Sequence, residues 1–292
     1  MDSKYIAVDD MSTAGSAVWW RLSGSLSLER LTEVWQDAGL DSALLPNPPT
    51  AITALARAAK TQAGPHTLVR SLGQGKWAVV NEHARDEELE YAVEARLSID
   101  KVGRLVLKPH DHPQAEELRA SYETHLNELI SADVSPWFSK LMTAVHAVSL
   151  RDTGGVYFVP RTHLEEWRQM ARAIQCASSH TILGMPCMRT DEAIHAIIDA
   201  VTQEAQSETI ALEAELASDT LGGRALESRV HKADEVKSKV TSYESLLGKK
   251  LDNLHDALDA VRAKLARARL RAEGTQTTET FGRGRLEATD LG

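Results

Sequence analysis

Three clusters in this sequence bring together side chains able to hold a metal or move a proton. His110-Asp111-His112 sets two imidazoles around a carboxylate, donors that suit zinc or another transition metal. Adjacent ligands need distant partners, which His66 and His83 would supply if their hairpin lay close; otherwise Asp111 is expected to cap a helix opening at Pro113. Asp191, His195 and Asp199 fall on one face of a helix, and Asp252, His255 and Asp259 roughly share a face of another. Facing helices can build a metal site from such groups, but these stripes lack the Glu-x-x-His spacing of di-iron bundles, so solvated faces are the default expectation. The metal candidates are therefore His110, His112, Asp191, His195, Asp252 and His255, each set against a plainer structural role.

Other catalytic patterns are thinner. Asp152-Thr153-Gly154 copies the triplet of aspartic proteases, yet it occurs once, and Arg151 stands where an apolar lead-in is usual; it reads as a turn before a strand at Val156. No Gly-x-x-x-x-Gly-Lys-Ser/Thr loop is present, which argues against an NTPase motor, and no Ser, His and acid set stands out. No catalytic residue and no cofactor is assigned on this reading. Arg262, Lys264, Arg267, Arg269 and Arg271 form a basic run without an acid, able to track phosphates, but no aromatic platform accompanies it.

The elements that position these groups follow from periodicity. Val18 to Leu22 reads as a strand, with a helix to Gly39 and a second helix after Pro46-Asn47-Pro48-Pro49. Between His66 and Lys108 the period changes to two. The turn Gly73-Gln74-Gly75 joins a hairpin, and Leu89, Tyr91, Val93, Ala95, Leu97 and Ile99 alternate as if on one buried face of an antiparallel meander. Two amphipathic helices and a strand, helix, strand unit to Met188 complete an α+β body with a mixed, largely antiparallel sheet.

Beyond Thr190 the composition changes, Tyr243 being the only aromatic residue as far as Ala272. Residues 190–220 hold eight carboxylates and no Lys or Arg, whereas 224–272 hold twelve Lys or Arg against seven acids. Opposite charges around Gly222-Gly223 predict a long antiparallel, coiled-coil-like helical hairpin, with Gly248 a candidate interruption. If the second helix were continuous it would outrun the first near His255. Leu251, Leu254, Leu258, Val261 and Leu265 keep a heptad rhythm, and the overhanging Leu258, Val261 and Leu265 would then need cover from the body or, preferably, a second chain. The organisation expected is an N-terminal segment 1–15, a body 16–189, an arm 190–273 and a flexible tail 274–292.

The net charge of −9 excludes a chain coated throughout with nucleic acid, though not a local basic surface. Two cysteines make no disulfide framework, three aspartates occupy the first ten residues, and no stretch is apolar enough to span a bilayer, so a cytoplasmic protein without membrane contact is expected. Val18-Trp19-Trp20-Arg21-Leu22-Ser23-Gly24 and the run from Arg151 to Pro160 resemble an uncharacterised family of viral and prokaryotic proteins, a resemblance that implies no activity and no site residue. The favoured function is a non-catalytic structural or adaptor protein that forms a homo-oligomer or docks a larger complex through its arm. The alternatives are a nucleic-acid-associated protein of phage biology or genome defence, using the basic end of the arm, and a metal-dependent enzyme.

Overall fold

The computed structural model describes residues 13–85, 88–151, 155–217 and 223–283, with side chains of 84, 85, 88, 217, 223, 224 and 269–283 outside that description. The Asp152-Thr153-Gly154 triplet and Gly222 lie outside the described residues. The fold is α+β, as periodicity predicts, and divides into two compact units. One is built from residues up to Trp19, Met142–Trp167 and Leu183 onward, the other from Trp20–Leu141 and Arg168–Ile182. The arm is thus not a unit of its own.

Strand β1 (Thr13–Arg21) belongs mostly to the first unit; in the second, β2 (Leu26–Ser27) leads into helix α1 (Leu28–Asp37), whose first turn is capped by the Ser27 hydroxyl accepting from Arg30 N–H at 3.3 Å. Helix α2 (Ala51–Lys60) is capped likewise by Thr50. A four-stranded antiparallel sheet follows in chain order: β3 (Thr67–Gly73), β4 (Lys76–Arg85), β5 (Glu88–Ile99) and β6 (Leu105–Lys108). Helices α2 and α3 (Ala115–Asn127) cover one face, where Leu55, Ala58, Val79, Leu97, Leu107 and Leu118 form the core. Alanines 54, 58 and 59 are fully buried on α2 and leave room for a close helix–sheet approach. Strand β7 (Glu128–Leu129) pairs with β2, and helix α4 (Ser131–Ala144) follows. Trp137 donates from its indole to Leu44 O at 2.7 Å and lies 5.9 Å from the Trp35 ring.

The period-two run in β5 does not keep one face. Val79 pairs with Ala95, but its neighbour Val80 pairs with Val93, so Glu94 is an extra residue on the β5 side. Paired residues share a face and consecutive β4 residues alternate. Ala95 and Leu97 therefore point into the core, each 1% exposed, while Val93 and Tyr91 turn to the opposite face. A bulge inverts the pattern that the sequence presents as continuous.

In the first unit, β8 (Val148–Ser149), β9 (Val156–Pro160) and most of β10 (Thr181–Met188) join β1 in a sheet ordered β10-β1-β9-β8; helix α5 (Leu164–Ala177), between β9 and β10 in the chain, falls mostly in the second unit. A Cβ at Gly15 would meet Val159 O at 2.1 Å, so only glycine fits there. Helices α6 (Asp191–Ala217), α7 (Gly223–Leu247) and α8 (Asp252–Arg283) pack on one another. The second stretch of the arm is not continuous: Gly248, at φ +68°, ends α7, its N–H bonding Glu244 O at 2.8 Å, and the chain turns into α8. That turn removes the expected overhang. The backbone of α8 runs to Arg283, into the stretch expected as a tail, because an established helix extends without a new nucleation cost.

Candidate interaction surface

The face of the β3–β6 sheet opposite α2 and α3 carries its side chains in cross-strand rows. Arg70 pairs with Ala78, Ala78 with Arg96 and Arg96 with Lys108, so one row crosses all four strands with three cations. Their sequence neighbours Val69, Val79, Leu97 and Leu107 belong to the core, which fixes this row on the outer side. Ala78, small and flanked by two long side chains, is only 2% exposed. Lys76, next to core-facing Trp77, extends the basic end. Arg70, Lys76, Arg96 and Lys108 are exposed, and none forms an ion pair among the described residues. Two residues along lies an apolar row, Leu68, Val80 and Val93, and then the pair Glu82 and Tyr91. Leu89, Tyr91 and Val93 are 56, 57 and 53% exposed, an apolar and aromatic patch that a freely soluble surface rarely shows so concentrated.

The arm uses its charges differently. Lys239 reaches Glu204 at 2.6 Å, Lys232 meets Glu208, Arg229 reaches Glu215 at 2.6 Å and Lys264 reaches Glu213 at 2.5 Å. The α6 partners rise as the α7 partners fall, so these two helices run antiparallel. Lys237–Asp259 at 2.6 Å and Arg262–Asp234 at 2.9 Å tie α7 to α8. Within the expected basic run, Arg262 and Lys264 are thus engaged inside the chain. Arg267 is exposed, and the side chains of Arg269 and Arg271 lie outside the description.

Leu258, Val261 and Leu265 are each 0% exposed without a second chain, and the cluster that buries Leu258 takes in Ala14 together with Val148 and Phe158 of the body. Leu258 packs with Ile197, Val201, Val240 and Tyr243, and Val261 and Leu265 with Leu212, Leu226 and Ala233. Leu254 is buried in the first of these groups, and Leu251 packs against it half-buried. The seam expected between chains is an internal one here because α8 folds back beside α6 and α7.

The metal candidates do not converge. Among the described residues no three His, Cys, Asp or Glu side chains form a metal-holding cluster. His112 is buried; its Nδ1 accepts from Gln114 N–H at 3.3 Å and its carbonyl from Ala115 N–H at 2.9 Å, so it organises the start of α3 in the role expected of Asp111. His110 is exposed, as are Asp191, His195, Asp199 and Asp252. His255 Nε2 lies 2.9 Å from Glu244, whose other oxygen accepts from Leu251 N–H at 2.6 Å. Burial works to raise the Glu244 carboxyl, but these two hydrogen bonds and the nearby charges of His255 and Lys250 hold it below the usual range. The pair braces the α7–α8 turn.

A second buried polar group sits beside β8. His146 stacks on His163 with ring centres 4.8 Å apart, its carbonyl accepts from the Tyr243 hydroxyl at 2.9 Å, and its buried Nδ1 has no partner among the described residues. Burial, and then the neighbouring His163 and Lys239 charges, push the His146 imidazole down. Lys239 donates to Ala147 O at 2.5 Å as well as to Glu204. These contacts hold α7 against the strand.

Residues 14–274 match the model of DUF6744, a family of unknown function. The chain belongs to that family. The DUF6744 match takes in both stretches that carry the resemblance, both compact units and most of α8. No curated protein and no solved structure matches the chain. Among the described residues of this DUF6744 member, no helix is long and apolar enough to cross a membrane.

Proposed function

We propose that this DUF6744 chain is a non-catalytic structural or adaptor protein, and that it docks its partner on the outer face of the β3–β6 sheet rather than along the arm. The observation that supports this reading is the exposure of Leu89, Tyr91 and Val93, each more than half open on a sheet whose other face buries Val79, Ala95, Leu97 and Leu107. Each large apolar side chain moved out of water would contribute about 1.5–3 kcal/mol, so a partner laid over the patch gains binding energy without remodelling the fold. Among the described residues the three arm helices are held together internally, their seam buried and most of their charges engaged.

The test is the size of the native particle. In an extract of its natural source the wild-type chain should run well above its own 32.0 kDa. A Leu89→Ser, Tyr91→Ser, Val93→Ser variant should run at the mass of the single chain with an unchanged melting temperature. A wild-type chain that runs as a monomer in that extract ends the docking reading.

A further inference from the structure

We infer that the partner of the outer β3–β6 sheet face is a single-stranded nucleic acid, an assignment that rests on the docking reading above and names what docks. Four exposed cations, Arg70, Lys76, Arg96 and Lys108, share this face without an ion pair among the described residues. This differs from the arm, where Arg229, Lys232, Lys237, Lys239, Arg262 and Lys264 all meet carboxylates. Among the described residues, Glu82 stands opposite Tyr91 on this face, and Glu94, at the bulge, lies 3.8 Å from His112. The four cations gather at one end and the aromatic residue stands beyond the apolar row, so charge and stacking surface are separated across the face.

That separation suits a flexible polyanion with planar bases. Phosphates would follow the Arg70, Arg96 and Lys108 row across the strands, and unpaired bases would lie over Val80 and Val93 against the Tyr91 ring. Rows on one face of a strand stand about 7 Å apart, at two residues of about 3.4 Å each. A duplex keeps its bases stacked inside and could offer the sheet only its phosphates. An acidic protein segment would satisfy the cations but gives no reason for an open aromatic and aliphatic strip beside them. A second copy of the chain would bring another set of four cations against the first.

The experiment is fluorescence anisotropy of the purified full chain with a labelled oligothymidylate of about fifteen nucleotides, a length within the usual footprint of a sheet-borne site. Binding should weaken between about 50 and 200 mM salt, with a log–log slope approaching about −3 for four phosphate contacts on a single strand. Replacing Arg70, Lys76, Arg96 and Lys108 with Gln should flatten that slope. Tyr91→Ser should weaken binding about tenfold or more at every salt concentration and leave the slope unchanged. Arg262→Gln with Lys264→Gln should alter neither, and melting curves should show every variant folded. No binding at low salt, equal affinity for a duplex of the same length, or indifference to the Tyr91 change would overturn the assignment. Light scattering that shows a dimer without oligonucleotide, lost in Tyr91→Ser, would give the face to a second copy. In these cases the docking reading survives if the native particle is still large, and falls only if that particle is itself a monomer.

Discussion

His146 holds a left-handed backbone position, φ +54°, beside the stacked ring of His163, and its imidazole is pushed below the ordinary histidine value first by burial. Burial also lowers His125 and His180. In each case the unfolded chain binds a proton at a higher pH than the folded one. Stability is therefore fully present above the ordinary histidine pKa of about 6.5 and is lost as pH falls from there toward the depressed folded values. Urea unfolding followed from pH 7.5 down to pH 5 should show a falling midpoint. His146→Asn, which tolerates positive φ and does not titrate, should make the fall shallower; an unchanged slope would mean that this ring is not proton-depleted in the fold. Nothing in the sequence around His146 marks this behaviour, because it arises from Tyr243, Lys239 and His163, distant residues that only the fold brings to it.

The helices show both the reach and the limit of pattern at the level of elements. Acidic 190–220 against basic 224–272 is enough to indicate antiparallel pairing, and the ion pairs from Lys239–Glu204 to Arg229–Glu215 follow it. The apolar rhythm of Leu258, Val261 and Leu265 likewise marks buried positions, but it cannot say which helix buries them. That depends on whether Gly248 bends the chain, a matter of one φ angle. Since the cover is internal, Leu265→Ala should cost about 2–5 kcal/mol of unfolding free energy, and the melting temperature of wild type and variant should not depend on protein concentration. A concentration-dependent melting temperature that Leu265→Ala abolishes would restore a seam between chains. In β5 the limit is sharper: Leu89 to Ile99 alternate without a break, and only the pairing of both Val79 and Val80 reveals that Glu94 inverts the faces.

For the whole molecule, composition points away from nucleic acid, since the net charge is −9, while the local surface of one sheet is basic, aromatic and uncovered. Averages hide such a face because its cations come singly, Arg70, Arg96 and Lys108 from three different strands, and become a row only through register. The contiguous run from Arg262 to Arg271 is easier to see in the sequence, yet two of its members are tied to Asp234 and Glu213. What remains legible is the α+β class, the meander and the helices; the docking face is not, because it depends on a bulge. Occupancy of that face can be read from tyrosine iodination followed by peptide mass spectrometry. Tyr122 and Tyr243, 4 and 0% exposed, serve as unreactive internal standards, and Tyr91 is the reporter. In the purified chain Tyr91 should react readily; in an extract of the natural source it should be protected several-fold. Equal reactivity of Tyr91 in both would show the face open where its partner should be, and would contradict the docking role.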